Sequence, residues 1–191
     1  FLDGTVKTKQ VAACGACFIC VCMLRPNGAG AFAVFVLAVL ADLCRQKKWE
    51  ELRRDILAFL LGCVLCLLPF LLYFTVKGIW KDFWECYIVF NGRYTAAGSK
   101  RAILAEMCNL FGTGYIPGVL AAASAMLCMR TRDTIAKKWF LLVCLANVLL
   151  NFVLCCMSGR GYGHYGMTVL PSLCLLHAAM VRVLLEFCRE H

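Results

Sequence analysis

The sequence predicts an all-helical integral membrane protein: about six transmembrane helices plus one amphipathic helix at the outer interface. Three observations predict it. Apolar residues make up 62% of the 191, more than a water-soluble fold of this size uses. The charged residues fall in short clusters between long uncharged runs. Several of those runs have the length, about 17–25 residues, that a helix needs to cross roughly 30 Å of hydrocarbon.

Taken in order, the first two candidate spans are Val11–Leu24 and Ala29–Leu43. Both are short, and only Arg25-Pro26-Asn27-Gly28, a helix-stopping turn, lies between them, so they read as a hairpin. The run Val11–Leu24 follows Lys7 and Lys9, but no small-residue cleavage site closes it, so it reads as a span and not as a signal peptide. Ile56–Val76 is a full-length span. Between it and the hairpin, the charges from Arg45 to Arg54 read as a loop. The segment from Lys77 to Phe90 is aromatic yet charged. Ile79, Phe83, Tyr87 and Phe90 share a stripe at helical spacing, with Lys81, Asp82 and Glu85 elsewhere. This pattern predicts a helix lying at the interface, with Trp80 and Trp84 at headgroup level. Asn91-Gly92 is predicted to end it, and Thr95–Ser99 to form a small-residue loop.

The fourth span, near 103–129, joins Ile103–Phe111 to the apolar run from Tyr115, with Gly112, Gly114 and Pro117 bending it. The last two are Trp139–Met157 and Met167–Leu185. The whole chain is one multi-span membrane domain. It opens at Phe1 and reads as the carboxy-terminal part of something longer.

Basic residues set the orientation. With the amino terminus inside, thirteen of the twenty Lys and Arg lie on the cytoplasmic side and seven on the outer side. Both termini, the Arg45–Arg54 segment and the Arg130–Lys138 segment are therefore expected in the cytoplasm of a cell-membrane protein. Arg182, inside the last span near its inner end, snorkels to the same side. The net charge of +9 does not point to nucleic acid, because the basic residues sit at the ends of apolar runs and gather on no single face.

Fifteen cysteines lie mostly inside the apolar runs, among them Cys14, Cys17, Cys20 and Cys22 in the first span and Cys63 and Cys66 in the third. Thiols in that setting act as small, soft apolar side chains at helix contacts. No zinc-ribbon spacing, P-loop or dinucleotide fingerprint is present.

The unusual residues collect on the predicted outer face. Ser158-Gly159-Arg160-Gly161-Tyr162-Gly163-His164-Tyr165-Gly166 places four glycines between two spans. Such a turn lets backbone approach a ligand closely, and Arg160 offers a planar fork for a phosphate. It reads equally as a flexible turn whose Arg and Tyr residues meet lipid headgroups. Arg25 is either a phosphate contact or a snorkelling turn residue. Asp82 and Glu85, three apart, could hold a divalent metal or act as acid and base, against the plainer reading of a solvated polar face. Glu106, just before an apolar segment, is the carboxylate that stands out if one points inward. His177, inside the last span, reads as a proton-relay member or as a histidine with a backbone or hydroxyl partner.

Arg160, Tyr162, His164 and Tyr165, followed by Leu170-Pro171, resemble the Arg-aromatic-x-x-His-Tyr element and later Leu-Pro of C-type-fold membrane glycosyltransferases. Those include the protein O-mannosyltransferases and the lipid A aminoarabinose transferase. The turn Leu24-Arg25-Pro26-Asn27 is similar to the basic-Pro turn between paired spans in such proteins. So is the run from Leu68-Pro69-Phe70 to Tyr73 leading into an aromatic helix with Asn91. The resemblance implies an enzyme that takes a sugar from a polyprenyl-phosphate donor and passes it to an acceptor at the outer membrane face. It implies Arg160, with Arg25 and Arg93 secondary, as partners for the anionic lipid phosphate. His164 and Tyr165, with Tyr162, would shape the site. The family's acidic catalytic residue in the first outer loop has no counterpart in this chain. Two other classes compete: a multi-span transporter or lipid flippase subunit, which would place polar residues along several spans, and a non-catalytic assembly subunit.

Overall fold

The computed structural model describes residues 7–24, 26–96, 99–112, 114–128, 135–157 and 167–190. Every regular element among them is helical. The chain divides into two compact units, residues 2–97 and residues 98–191. Three helices are long and apolar enough to cross a membrane, at Trp49–Lys77, Lys138–Cys156 and Leu170–Arg189, and two shorter apolar helices accompany them.

The first unit begins with α1 (Thr8–Leu24), a single 3₁₀ turn (Pro26–Gly28) and α2 (Ala29–Arg45). The hairpin read from Arg25–Gly28 is therefore present. Next comes α3 (Trp49–Lys77), a helix of 29 residues that runs on through Pro69. The Arg45–Arg54 segment is thus not a loop. Only Gln46–Lys48 separate α2 from α3, and the charges from Trp49 onward ride on the first turns of α3. Helix-forming residues explain this. Glu50 and Glu51 complement the positive end of the helix dipole, and Arg53 bridges to Glu50 at 2.8 Å.

Helices α2 and α3 end in the same way with different residues. At the end of α3, Gly78 takes φ +65°; its N–H bonds the Thr75 carbonyl, and Ile79 N–H bonds Phe74. At the end of α2, Lys47 takes φ +57°; its N–H bonds Cys44, and Lys48 N–H bonds Leu43. Both are Schellman closures, but only glycine adopts the left-handed position without steric cost.

Helices α1 and α3 run parallel. Ala12 lies against Gly62, Gly15 against Phe59 and Cys63, and, farther along both helices, Cys20 against Cys66. The approach is backbone to backbone. A Cβ on Gly15 would overlap the Phe59 carbonyl, and one on Gly62 would overlap the Ala12 carbonyl. Ala58, Gly62 and Cys66, spaced by four, form the small-residue row on α3 that permits it. Past the Cys20–Cys66 contact, α1 continues for about 6 Å and α3 for about 16 Å, so α3 overshoots by roughly 10 Å.

The chain returns into that step. After Gly78, helical turns run without a break through α4 (Trp80–Phe83), a π segment (Trp84–Val89) and α5 (Phe90–Ala96). The predicted helix thus begins three residues later than Lys77 and continues past Asn91-Gly92 to Ala96. Asn91 does not break it because its Nδ2 donates to the Tyr87 carbonyl at 2.7 Å, a helix-compatible use of the amide. Phe83 stacks on Phe74 at 4.7 Å and on Tyr87 at 5.1 Å. The π turn shifts the register, so Phe90 leaves the stripe and is 61% exposed.

The second unit contains α6 (Lys100–Gly112), α7 (Tyr115–Cys128), α8 (Ile135–Cys156) and α9 (Leu170–Glu190). The single bent span predicted near 103–129 is two helices. In one straight helix Ile103 and Leu120 would be about 25 Å apart, yet both pack on the cluster of Ile116, Phe152 and Cys156. The chain folds back at its glycines, with Gly114 at φ +72°. Helix α9 packs beside α8. Their buried positions, Leu141, Cys144, Val148, Phe152 and Cys155 on one and Leu173, Leu176, Ala179 and Val183 on the other, recur at three- and four-residue spacing. The predicted spans Trp139–Met157 and Met167–Leu185 correspond to these helices with shifted ends.

Candidate functional site

Arg25 and the segment 158–166, with Arg160, Tyr162, His164 and Tyr165, lie outside the described residues. Arg93 is described; it sits exposed on α5 in the first unit. Helix α8 ends at Cys156 and α9 begins at Leu170. Pro171, the second residue of α9, falls where helix N–H groups have no intrahelical acceptor, so its missing N–H costs nothing.

The end of α8 from which this segment leaves is also where α6 and α7 meet it. Glu106, on α6, is buried to 9% exposure and lies within electrostatic reach of the Cys156 thiol. The carboxylate that stands out in the sequence beside an apolar run is therefore buried, near the carboxy-terminal end of α8.

The other candidates resolve differently. Asp82 and Glu85 are exposed, and Glu85 Oε1 lies 3.9 Å from Lys81 Nζ. That is a solvated ion pair worth little energy. Among the described residues no three His, Cys, Asp or Glu side chains converge as a metal site would require.

His177 has both of its nitrogens engaged. Nδ1 lies 2.7 Å from the Leu173 carbonyl, and Nε2 lies 3.2 Å from the Tyr115 hydroxyl. Nδ1–H donates to the carbonyl, Nε2 pairs with the phenol hydroxyl, and the two rings stack at 6.0 Å. His177 thereby ties α9 to α7.

Asn151 donates its amide to Asn147, to the backbone oxygen at 2.8 Å and the side-chain oxygen at 3.3 Å. Asn151 is thus engaged along its own helix.

Sequence reasoning missed the junction around Tyr87. Its hydroxyl donates to the Cys22 carbonyl, one of the last carbonyls of α1, which have no partner inside the helix. Burial, and secondarily the nearby Cys22 thiol, push the Tyr87 phenol above the ordinary tyrosine value. It therefore stays protonated, and a donor, at neutral pH. Trp80 Nε1 donates to Thr75 Oγ1 at 3.2 Å and anchors the start of the same helical run. The only signal in the sequence was the pairing of aromatics with a short preceding span. No protein family, curated protein or solved structure matches this chain.

Proposed function

We propose that the chain is the membrane region of a glycosyltransferase that moves a sugar from a polyprenyl-phosphate donor to an acceptor at the outer membrane face. The observation that supports this reading is the burial of Glu106, on α6, within electrostatic reach of Cys156 at the end of α8. Arg160 binds the lipid phosphate with its fork, His164 and Tyr165 hydrogen-bond around it, and Tyr162 belongs to the same aromatic turn. Arg25 and Arg93 are secondary phosphate partners. Binding charge where the leaving phosphate departs is the largest single contribution such a site can make.

In this reading the spans are α1, α2, α3, α7, α8 and α9, with α6 folded back beside α7 and the helical run from Trp80 to Ala96 at the outer interface. Both termini are cytoplasmic, following the basic residues. The parallel course of α1 and α3, with α2 between them in sequence, agrees with alternate crossings. Transport is the rival. It is disfavoured by the engagement of Asn151 within its own helix and of His177 between Leu173 and Tyr115, which leaves few free polar groups along the spans.

Replacing Arg160 tests the proposal. Hydrogen bonds to a charged group are worth about 1.5–3 kcal/mol, roughly ten- to a hundredfold in rate. Arg160→Ala in the full-length protein should lower transfer from a lipid-phosphate sugar donor by that factor, with little change in expression. Arg160→Lys should restore only part, since an ammonium cannot form the bidentate fork. Wild-type turnover by the alanine variant would remove Arg160 from the site.

A further inference from the structure

The geometry points to a site of covalent modification independent of the proposed transfer reaction: Cys20 on α1 and Cys66 on α3 form a dithiol that a hydroperoxide converts to a disulfide, locking the two helices together. Their sulfurs are 3.5 Å apart, a gap of about 1.5 Å beyond bonding distance, which small side-chain rotations can close. The backbones beneath them are already fixed. The close approach of Gly15 to Phe59 and of Gly62 to Ala12 sets the register in which the two thiols face one another.

The neighbouring cysteines are differently placed. Cys63 donates its thiol to the Gly15 carbonyl at 3.3 Å. Cys17, exposed on α1, lies within electrostatic reach of Cys66, but the 3.5 Å sulfur contact is made by Cys20. The described residues bring no three such donors together for a metal, so the two-sulfur contact favours bond formation over coordination.

The oxidant is a hydroperoxide, ROOH, and Cys20, the more exposed of the two, reacts first. Its thiol gives up a proton, and the sulfur attacks the distal peroxide oxygen. The O–O bond breaks, giving the Cys20 sulfenic acid and the alcohol ROH. The Cys66 sulfur then attacks the sulfenic sulfur, its proton leaves with the hydroxide as water, and the S–S bond forms. Two thiols and ROOH become one disulfide, ROH and water. Two electrons pass from sulfur to the peroxide. A thiol reductant reverses the modification by exchange.

The test uses the full chain in lipid nanodiscs, tert-butyl hydroperoxide as probe, rapid alkylation and peptide mass spectrometry. A Cys20–Cys66 linked peptide, removable by dithiothreitol, should form faster than any other cysteine pair by about an order of magnitude, because proximity replaces diffusion. Cys66→Ser should leave Cys20 as a sulfenic acid that dimedone traps. Cys20→Ser should yield no α1–α3 link. Over-oxidation of Cys20 without any link, or equal linking of α3 through Cys17 or Cys22, would overturn the proposal. Both substitutions change one atom in a thiol, and circular dichroism of each variant shows whether its helices are retained.

Discussion

In residues 2–97 helix α1 meets α3 closest at Gly15, Gly62 and the carbonyls they cover, with the Phe18 ring against Phe59 beside them. In residues 98–191 helix α8 meets α9 through Leu141, Val148, Phe152, Leu176 and Val183, all nearly inaccessible. One seam is made of backbone, the other of branched side chains. Surrounded by lipid, a leucine loses no water by moving into a helix contact, so both seams depend on close packing and not on transfer from water. The difference lies in how each responds to a change in size. A glycine seam has no slack for an added atom, whereas a side-chain seam can repack around a lost one.

The largest expected effect follows from that contrast. Gly62→Val should separate α1 from α3 and lower stability by about 3 kcal/mol, the upper range for overpacking. Stability in a bilayer mimic, read by thermal unfolding or steric trapping, checks it. Leu176→Ala removes far more volume from a residue with no exposed surface. It should nevertheless cost less, about 2 kcal/mol, because only the packing part of the usual large-to-small penalty applies in lipid. A larger loss for Leu176→Ala than for Gly62→Val would break the comparison.

A smaller contrast concerns the two helix ends. Gly78 and Lys47 hold the same left-handed conformation, but Lys47 carries a Cβ. Lys47→Gly should therefore stabilise the turn between α2 and α3 by about 1 kcal/mol, the cost of the left-handed position to a residue with a Cβ. A destabilised Lys47→Gly variant would mean that the lysine side chain contributes more than its conformation costs.

The long apolar runs made α3, α8 and α9 legible in the sequence, and Pro26–Gly28 marked the first hairpin. Three features were hidden by conflict between local signals. The charges of Trp49–Asp55 resemble a loop, although Glu50 with Arg53 supports a helix start. Asn91-Gly92 resembles a stop, although the Asn91 amide can serve the Tyr87 carbonyl and let the helix continue. The glycines at 112 and 114 signal a bend, but its size depends on where Ile103 and Leu120 find partners, a tertiary property. Of the candidate site, the inward character of Glu106 was legible from a lone carboxylate at the edge of an apolar run. The closeness of Cys20 to Cys66 was not, because it depends on the register set by Gly15 and Gly62.

The central claim is that these helices cross a membrane with the turn between α2 and α3 inside and the turn after α3 outside. Cysteine substitutions at Lys47 and Lys81, made after the native exposed cysteines are replaced, test it most directly in intact cells with a membrane-impermeant maleimide. Lys81→Cys should label from outside, and Lys47→Cys only after the membrane is permeabilised. Labelling of Lys47→Cys in intact cells, or of both positions from the same side, would contradict the account.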